Sequence, residues 1–123
     1  MYESGENYLK TIWVLKGRNG QVRSIDIAKE LDFSKPSVSR AVKLLKSDGL
    51  IEVDESGYIE FTSVGYEKAK VIYERYQILK EFIQKIAHVP ELVAENEACR
   101  MEHFLSNETV QGIINYIHEK ELT

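Results

Sequence analysis

The segment Glu95-Asn96-Glu97-Ala98-Cys99-Arg100-Met101-Glu102-His103 holds the side chains best suited to chemistry. At about 100° per residue, Glu95, Cys99, Glu102 and His103 fall on one helix face, while Ala94, Ala98, Met101 and Leu105 form the apolar stripe. A thiolate, a carboxylate and an imidazole gathered on one face are a ligand set for a divalent transition metal. The same spacing also describes a solvated face with a lone cysteine on it, although cysteine seldom sits on exposed faces. Spacing alone leaves both readings open. His88 and His118 stand by themselves and read as ordinary residues. No Gly-rich phosphate loop, Gly-x-Ser-x-Gly elbow or Cys-x-x-Cys pair occurs, so an enzyme is not expected.

The elements that must carry this segment are mainly helical. Tyr8, Ile12 and Leu15 recur at helical spacing and predict a first helix from near Glu6 to Lys16, ended by Gly17 and Asn19-Gly20. Ser24 suggests an N-cap for a helix over Ile25–Leu31. After a break at Asp32-Phe33, Ser34 can cap a third helix, with Pro36 in its first turn and Val38, Ala41, Val42 and Leu45 on its inner side. Two helices joined by so short a turn form a helix-turn-helix, and Ser37, Ser39 and Arg40 are left pointing outward from the second of them. Two alternating runs, Leu50–Val53 and Tyr58–Thr62, flank a turn with Gly57 and read as a β-hairpin. In that order the elements predict a winged helix. Beyond it, Ser63 opens a long helix to about Ala87, Pro90 starts another through about Phe104, and Ser106 or Asn107 caps a last one. Their apolar stripes exceed what the small winged-helix core can cover. Ile113, Ile114 and Ile117, with Tyr73 and Ile83 from the long helix, are expected to face a partner chain.

Composition narrows the function. The chain has 123 residues, of which 43% are hydrophobic and 29% charged, as in an ordinary globular protein. No apolar run approaches the roughly 20 residues of a membrane span. The opening Met1–Glu6 lacks the basic patch and apolar stretch of a signal peptide, and the single cysteine fits a reducing compartment, so a cytoplasmic location is expected. A net charge of −4 argues against indiscriminate nucleic-acid binding. Yet Lys16 to Ser47 holds eight basic residues against three acidic ones, a +5 stretch in an otherwise acidic chain. That stretch is either a set of solvated helix faces or a local phosphate-facing surface.

These residues complete a resemblance. The element order and the strings Asn7-Tyr8-Leu9-Lys10-Thr11-Ile12, Ser34-Lys35-Pro36-Ser37-Val38-Ser39 and Glu97-Ala98-Cys99-Arg100-Met101-Glu102-His103 resemble the diphtheria toxin repressor family, which includes the manganese transport regulators. The resemblance covers essentially the whole chain and is to the shorter, two-domain type. It implies a homodimer that, with metal bound, occupies a palindromic operator and represses metal-uptake genes. Cys99, Glu102 and His103 match three ligands of the family's regulatory metal site, and Asn7 stands where relatives place a fourth, Met or Asp. At a neighbouring second metal position, Tyr76 replaces a His, Lys80 an acidic residue, Glu95 the His of iron-type members and Lys10 an acidic residue of the manganese type.

The expectation is therefore a mainly α chain, with a winged helix-turn-helix of three helices and a β-hairpin wing over residues 1–63. A helical dimerisation and metal-binding domain is expected over 64–123. Ser34, Lys35, Pro36, Ser37, Ser39 and Arg40 are expected at the DNA major groove, with Arg23, Lys43 and Lys46 on phosphates. One divalent transition metal per chain is expected on Cys99, Glu102, His103 and Asn7, with Lys80 and Glu95 beside it. The resemblance suggests Fe²⁺, and the thiolate favours Fe²⁺, Co²⁺ or Zn²⁺ over Mn²⁺. Two alternatives remain: a winged-helix regulator without metal control, and a metal-buffering protein whose helix-turn-helix is only structural.

Overall fold

The computed structural model describes residues 3–122, with side chains over 5–120. Its elements run α1 (Glu3–Asn19), α2 (Ser24–Leu31), α3 (Lys35–Ser47), β1 (Ile51–Val53), β2 (Ile59–Phe61), α4 (Ser63–Ala87), α5 (Glu91–Met101) and α6 (Asn107–Leu122). The mainly helical winged-helix order is as the residues predict. Contacts divide the chain into two units, Met1–Val71 and Ile72–Thr123.

In the first unit, α1 extends beyond the expected Glu6–Lys16 at both ends and runs through Gly17. It ends at Gly20, whose φ of 79° is a conformation that glycine adopts at no steric cost. Ser24 is not the cap of α2. Arg23 is, and its backbone N–H donates to Asp26 Oδ2 at 2.8 Å. The Asp26 carboxylate thus reaches back to the cap backbone, where a capping serine would reach forward to the first helical amides. Ser34 does cap α3, accepting from Ser37 N at 3.3 Å. The core of this unit is Leu9, Ile12, Val22, Ile27, Val38, Leu45, Ile51 and Ile59, all but removed from solvent.

β1 and β2 pair antiparallel with Glu52 opposite Glu60, and Val22 O accepts from Ile59 N at 2.8 Å, tying the wing to the chain before α2. Asp54 Oδ1 accepts from both Ser56 N and Tyr58 N at 2.9 Å and so shapes the wing turn. Thr62 fastens the start of α4. Its Oγ1 donates to Gly49 O at 2.7 Å and accepts from Gly65 N at 3.0 Å, and its N–H donates to Leu50 O at 3.1 Å. Gly65 is required there, because a Cβ would overlap the Leu50 carbonyl oxygen and lie 2.6 Å from its carbon.

In the second unit, Leu79 and Ile83 of α4 pack on Ala94 and Ala98 of α5, with Tyr76, Met101, Leu105 and Ile113 around them. Tyr76 is thus half-buried against this core. The expected partner-facing set needs correction: Ile83 and Ile117 are buried within the unit, and Ile113 and Ile114 are half-buried. Ile86 is 52% exposed, and it lines an apolar groove with Phe82 and Tyr116. The Phe82 and Tyr116 rings meet edge to face at 6.4 Å. Among the described residues no helix is long and apolar enough to cross a membrane.

Candidate metal centre and nucleic-acid interface

α5 stops at Met101, short of the expected Phe104, so Glu102 and His103 lie in a turn rather than on the helix. The turn keeps winding nonetheless: Glu102 N donates to Ala98 O at 3.1 Å and His103 N to Arg100 O at 3.3 Å. This keeps both side chains on the Cys99 side. The Cys99 sulfur, a Glu102 oxygen and a His103 nitrogen all lie within 4.8 Å of one another. The Glu102 and His103 side chains are 1% and 2% exposed, with Oε1 and Nε2 3.4 Å apart. Ligands bound about 2.0–2.3 Å from one ion sit roughly 3.5 Å apart, so a small contraction would close this set around a metal. The donor set, a half-buried sulfur with a buried nitrogen and a buried oxygen, fits a divalent transition ion.

Glu95 does not join this cluster. It faces Lys80, whose ammonium lies 3.4 Å from Glu95 Oε1 and 3.0 Å from Glu91 Oε1. The hydrogen bond that Lys80 donates to Glu91 is the main reason that its pKa stands above the ordinary value, with burial opposing it. Glu91 as the nearer partner was not legible, since it lies 11 residues away across the α4–α5 turn. Asn7 lies on α1 in the first unit, and its backbone carbonyl accepts from Thr11 Oγ1 at 2.9 Å.

On the first unit, α3 exposes Lys35, Pro36, Ser39, Arg40 and Lys43, with Ser34 exposed at its cap and Ser37 half-buried. Ser34 and Ser37 are partly engaged locally. Ser34 Oγ donates to Ser37 Oγ at 2.8 Å, and Arg40 Nη2 to the same oxygen at 3.4 Å. The Arg23 guanidinium stacks 4.4 Å over the Tyr58 ring of the wing, which places the one cation at the start of α2 against the wing turn. Not all of the basic stretch is free: Lys16 is held by Glu60 at 2.7 Å and Arg18 by Glu30 at 2.8 Å. What remains outward is concentrated on α3 and at Arg23.

Residues 1–59 match the family described as iron dependent repressor, N-terminal DNA binding domain, and residues 62–121 match iron dependent repressor, metal binding and dimerisation domain. The chain belongs to the iron-dependent repressor family. Within that family it is 33% identical over 107 residues to the transcriptional regulator MntR of Escherichia coli, covering 87% of this chain and 68% of that one. It is 30% identical over 114 residues to an uncharacterised HTH-type transcriptional regulator of Methanocaldococcus jannaschii, covering 92% and 91%. The crystal structure of T. acidophilum IdeR superposes with a TM-score of 0.83 at 25% identity, over 92% of this chain and 53% of that one. The chain thus spans about half the length of the iron-dependent repressors that it matches.

For a member of the iron-dependent repressor family, one residue escaped sequence reasoning altogether. Arg75 of α4 donates to Glu102 O at 2.9 Å, Leu105 O at 2.8 Å and Asn107 Oδ1 at 2.6 Å. In the sequence it is one more charge on an amphipathic helix, with no signal beyond that.

Proposed function

We propose that the chain is a metal-responsive repressor of metal-uptake genes, acting in the cytoplasm as a homodimer on a palindromic operator. The observation that carries this reading is the convergence of Cys99, Glu102 and His103 within 4.8 Å on a chain that also bears a winged helix. Residues 1–63 would bind DNA and residues 64–123 the metal and the second copy. Ser39 and Arg40 would read base edges in the major groove, beside Ser34, Lys35, Pro36 and Ser37, while Arg23, Lys43 and Lys46 hold phosphates. One divalent ion per chain would bind Cys99, Glu102 and His103, with Asn7 adding a neutral amide oxygen from α1. Sulfur in the set favours Fe²⁺, Co²⁺ or Zn²⁺ over Mn²⁺, and family membership supports Fe²⁺. Metal binding would alter affinity for the operator by stabilising one conformation of the repressor over another.

The test is DNA binding with and without metal. A duplex selected from a random library by the metal-loaded protein is titrated anaerobically with Fe²⁺ or Co²⁺ present, then with chelator. Binding that needs metal supports the proposal. Equal binding in chelator makes the chain a metal-independent regulator, and metal binding with no selected DNA makes it a metal buffer.

A further inference from the structure

Two of the three candidate ligands sit not on a helix but in the turn between α5 and α6. A turn holds a side chain in place only if its own backbone is held. The last carbonyls of a helix have no partner within it and must find donors elsewhere. At the end of α5, amides of the turn meet the carbonyls of Ala98, Arg100 and Met101, and a single guanidinium on α4 meets the carbonyls of the turn itself. Arg75 Nη2 bonds the carbonyls of Glu102 and Leu105, at 2.9 and 2.8 Å, and Nη1 bonds the Asn107 carboxamide at 2.6 Å. The two ends of the segment that aims Glu102 and His103 are thereby pinned to one planar group. Its Nε is buried without a hydrogen-bond partner among the described residues, so the placement carries a desolvation cost that only the other three bonds offset.

We infer that Arg75 is a positioning residue for the metal centre: it holds the Glu102–Leu105 turn in the shape that lets Glu102 and His103 meet the Cys99 thiolate. This rests on the metal-site reading above. The fork is what matters, not the charge. Lysine places one point charge on a flexible stem and cannot span acceptors as a planar guanidinium does. Cys99 depends less on the fork, because it sits within α5, on the helix that Ala94 and Ala98 anchor to Leu79 and Ile83.

The full chain is titrated anaerobically with Co²⁺, following both affinity and the thiolate-to-cobalt absorption band. Arg75→Met should weaken Co²⁺ binding by about 10–100-fold, the usual loss when a partner behind the ligands is removed, and keep the thiolate band at saturation. Cys99→Ala should abolish that band. Arg75→Lys should not rescue affinity, whereas a purely electrostatic role would be rescued by it. Amide exchange at His103–Leu105 should speed up in metal-free Arg75→Met while amides of α4 stay protected. Should Arg75→Met not fold, Arg75→Lys and Asn107→Ala decide: affinity must fall further in the first than in the second. Variants that bind Co²⁺ as tightly as the unaltered chain would overturn the inference. Failure of the unaltered chain to bind any Co²⁺ would instead overturn the metal-site reading.

Discussion

Lys80 Nζ lies 3.0 Å from Glu91 Oε1, an ion pair that joins the middle of α4 to the first turn of α5. Glu95 Oε1, one turn further along α5, is 3.4 Å away on the same ammonium. One ammonium thus engages both carboxylates, so neither is left to balance the charge of a second ion. The Glu91 hydrogen bond raises the Lys80 pKa, so the ammonium stays charged throughout any working pH. With the folded value above the unfolded one, its stabilising contribution is complete at neutral pH. It is lost only as pH rises through the raised folded value. We expect one equivalent of Fe²⁺ or Co²⁺ per chain by anaerobic calorimetry, and none with Cys99→Ala at the same concentrations. Two equivalents on the unaltered chain would sink the single-metal proposal.

Gly65 offers a test of the fold itself. Its Cα faces the Leu50 backbone, and a methyl group there must push α4 away from the start of β1. Backbone cannot yield as a flexible side chain can. Gly65→Ala should cost about 3 kcal/mol, at the upper end of ordinary overpacking, and lower the melting temperature by more than about 10 °C. Circular dichroism melts would check it, and an unchanged Tm would contradict the packing.

Arg40 tests specificity. It is exposed on α3, one turn past Ser37, where two parallel hydrogen bonds to a guanine edge would be worth about 1–3 kcal/mol. Arg40→Ala should therefore weaken binding to a selected operator by roughly 10-fold or more while leaving random DNA nearly unaffected. Equal losses on both, measured by fluorescence anisotropy at fixed salt, would make Arg40 a phosphate contact.

Assembly is expected through the apolar groove of Phe82, Ile86 and Tyr116. Ile86 and Tyr116 are 52% and 42% exposed, an apolar face for which a second copy related by a twofold axis is the simplest cover. Sedimentation at micromolar concentration should give a dimer for the unaltered chain and a monomer for Ile86→Glu. A dimer that tolerates Ile86→Glu would place the interface elsewhere.

Much of this protein was legible in one dimension. The cap at Ser34, the Gly57 turn of the wing and the span of α4 from Ser63 to Ala87 follow from nearest-neighbour chemistry and apolar period. Cys99, Glu102 and His103 were legible as a group because all three lie within five consecutive residues, where any helical winding brings them to one side. Other features needed the tertiary structure, because their partners are remote in sequence. Lys80 meets Glu91 across 11 residues and Arg75 meets Asn107 across 32, and no local window pairs them. The shape of the turn after Met101 belongs to the same class, since it is Arg75 from another helix that satisfies the carbonyls of Glu102 and Leu105. Which isoleucines turn inward was likewise decided by packing. Ile83 and Ile86 are three residues apart on one stripe, yet α5 covers the first and leaves the second open, because a stripe marks an apolar face and only a neighbouring element determines how much of it is buried.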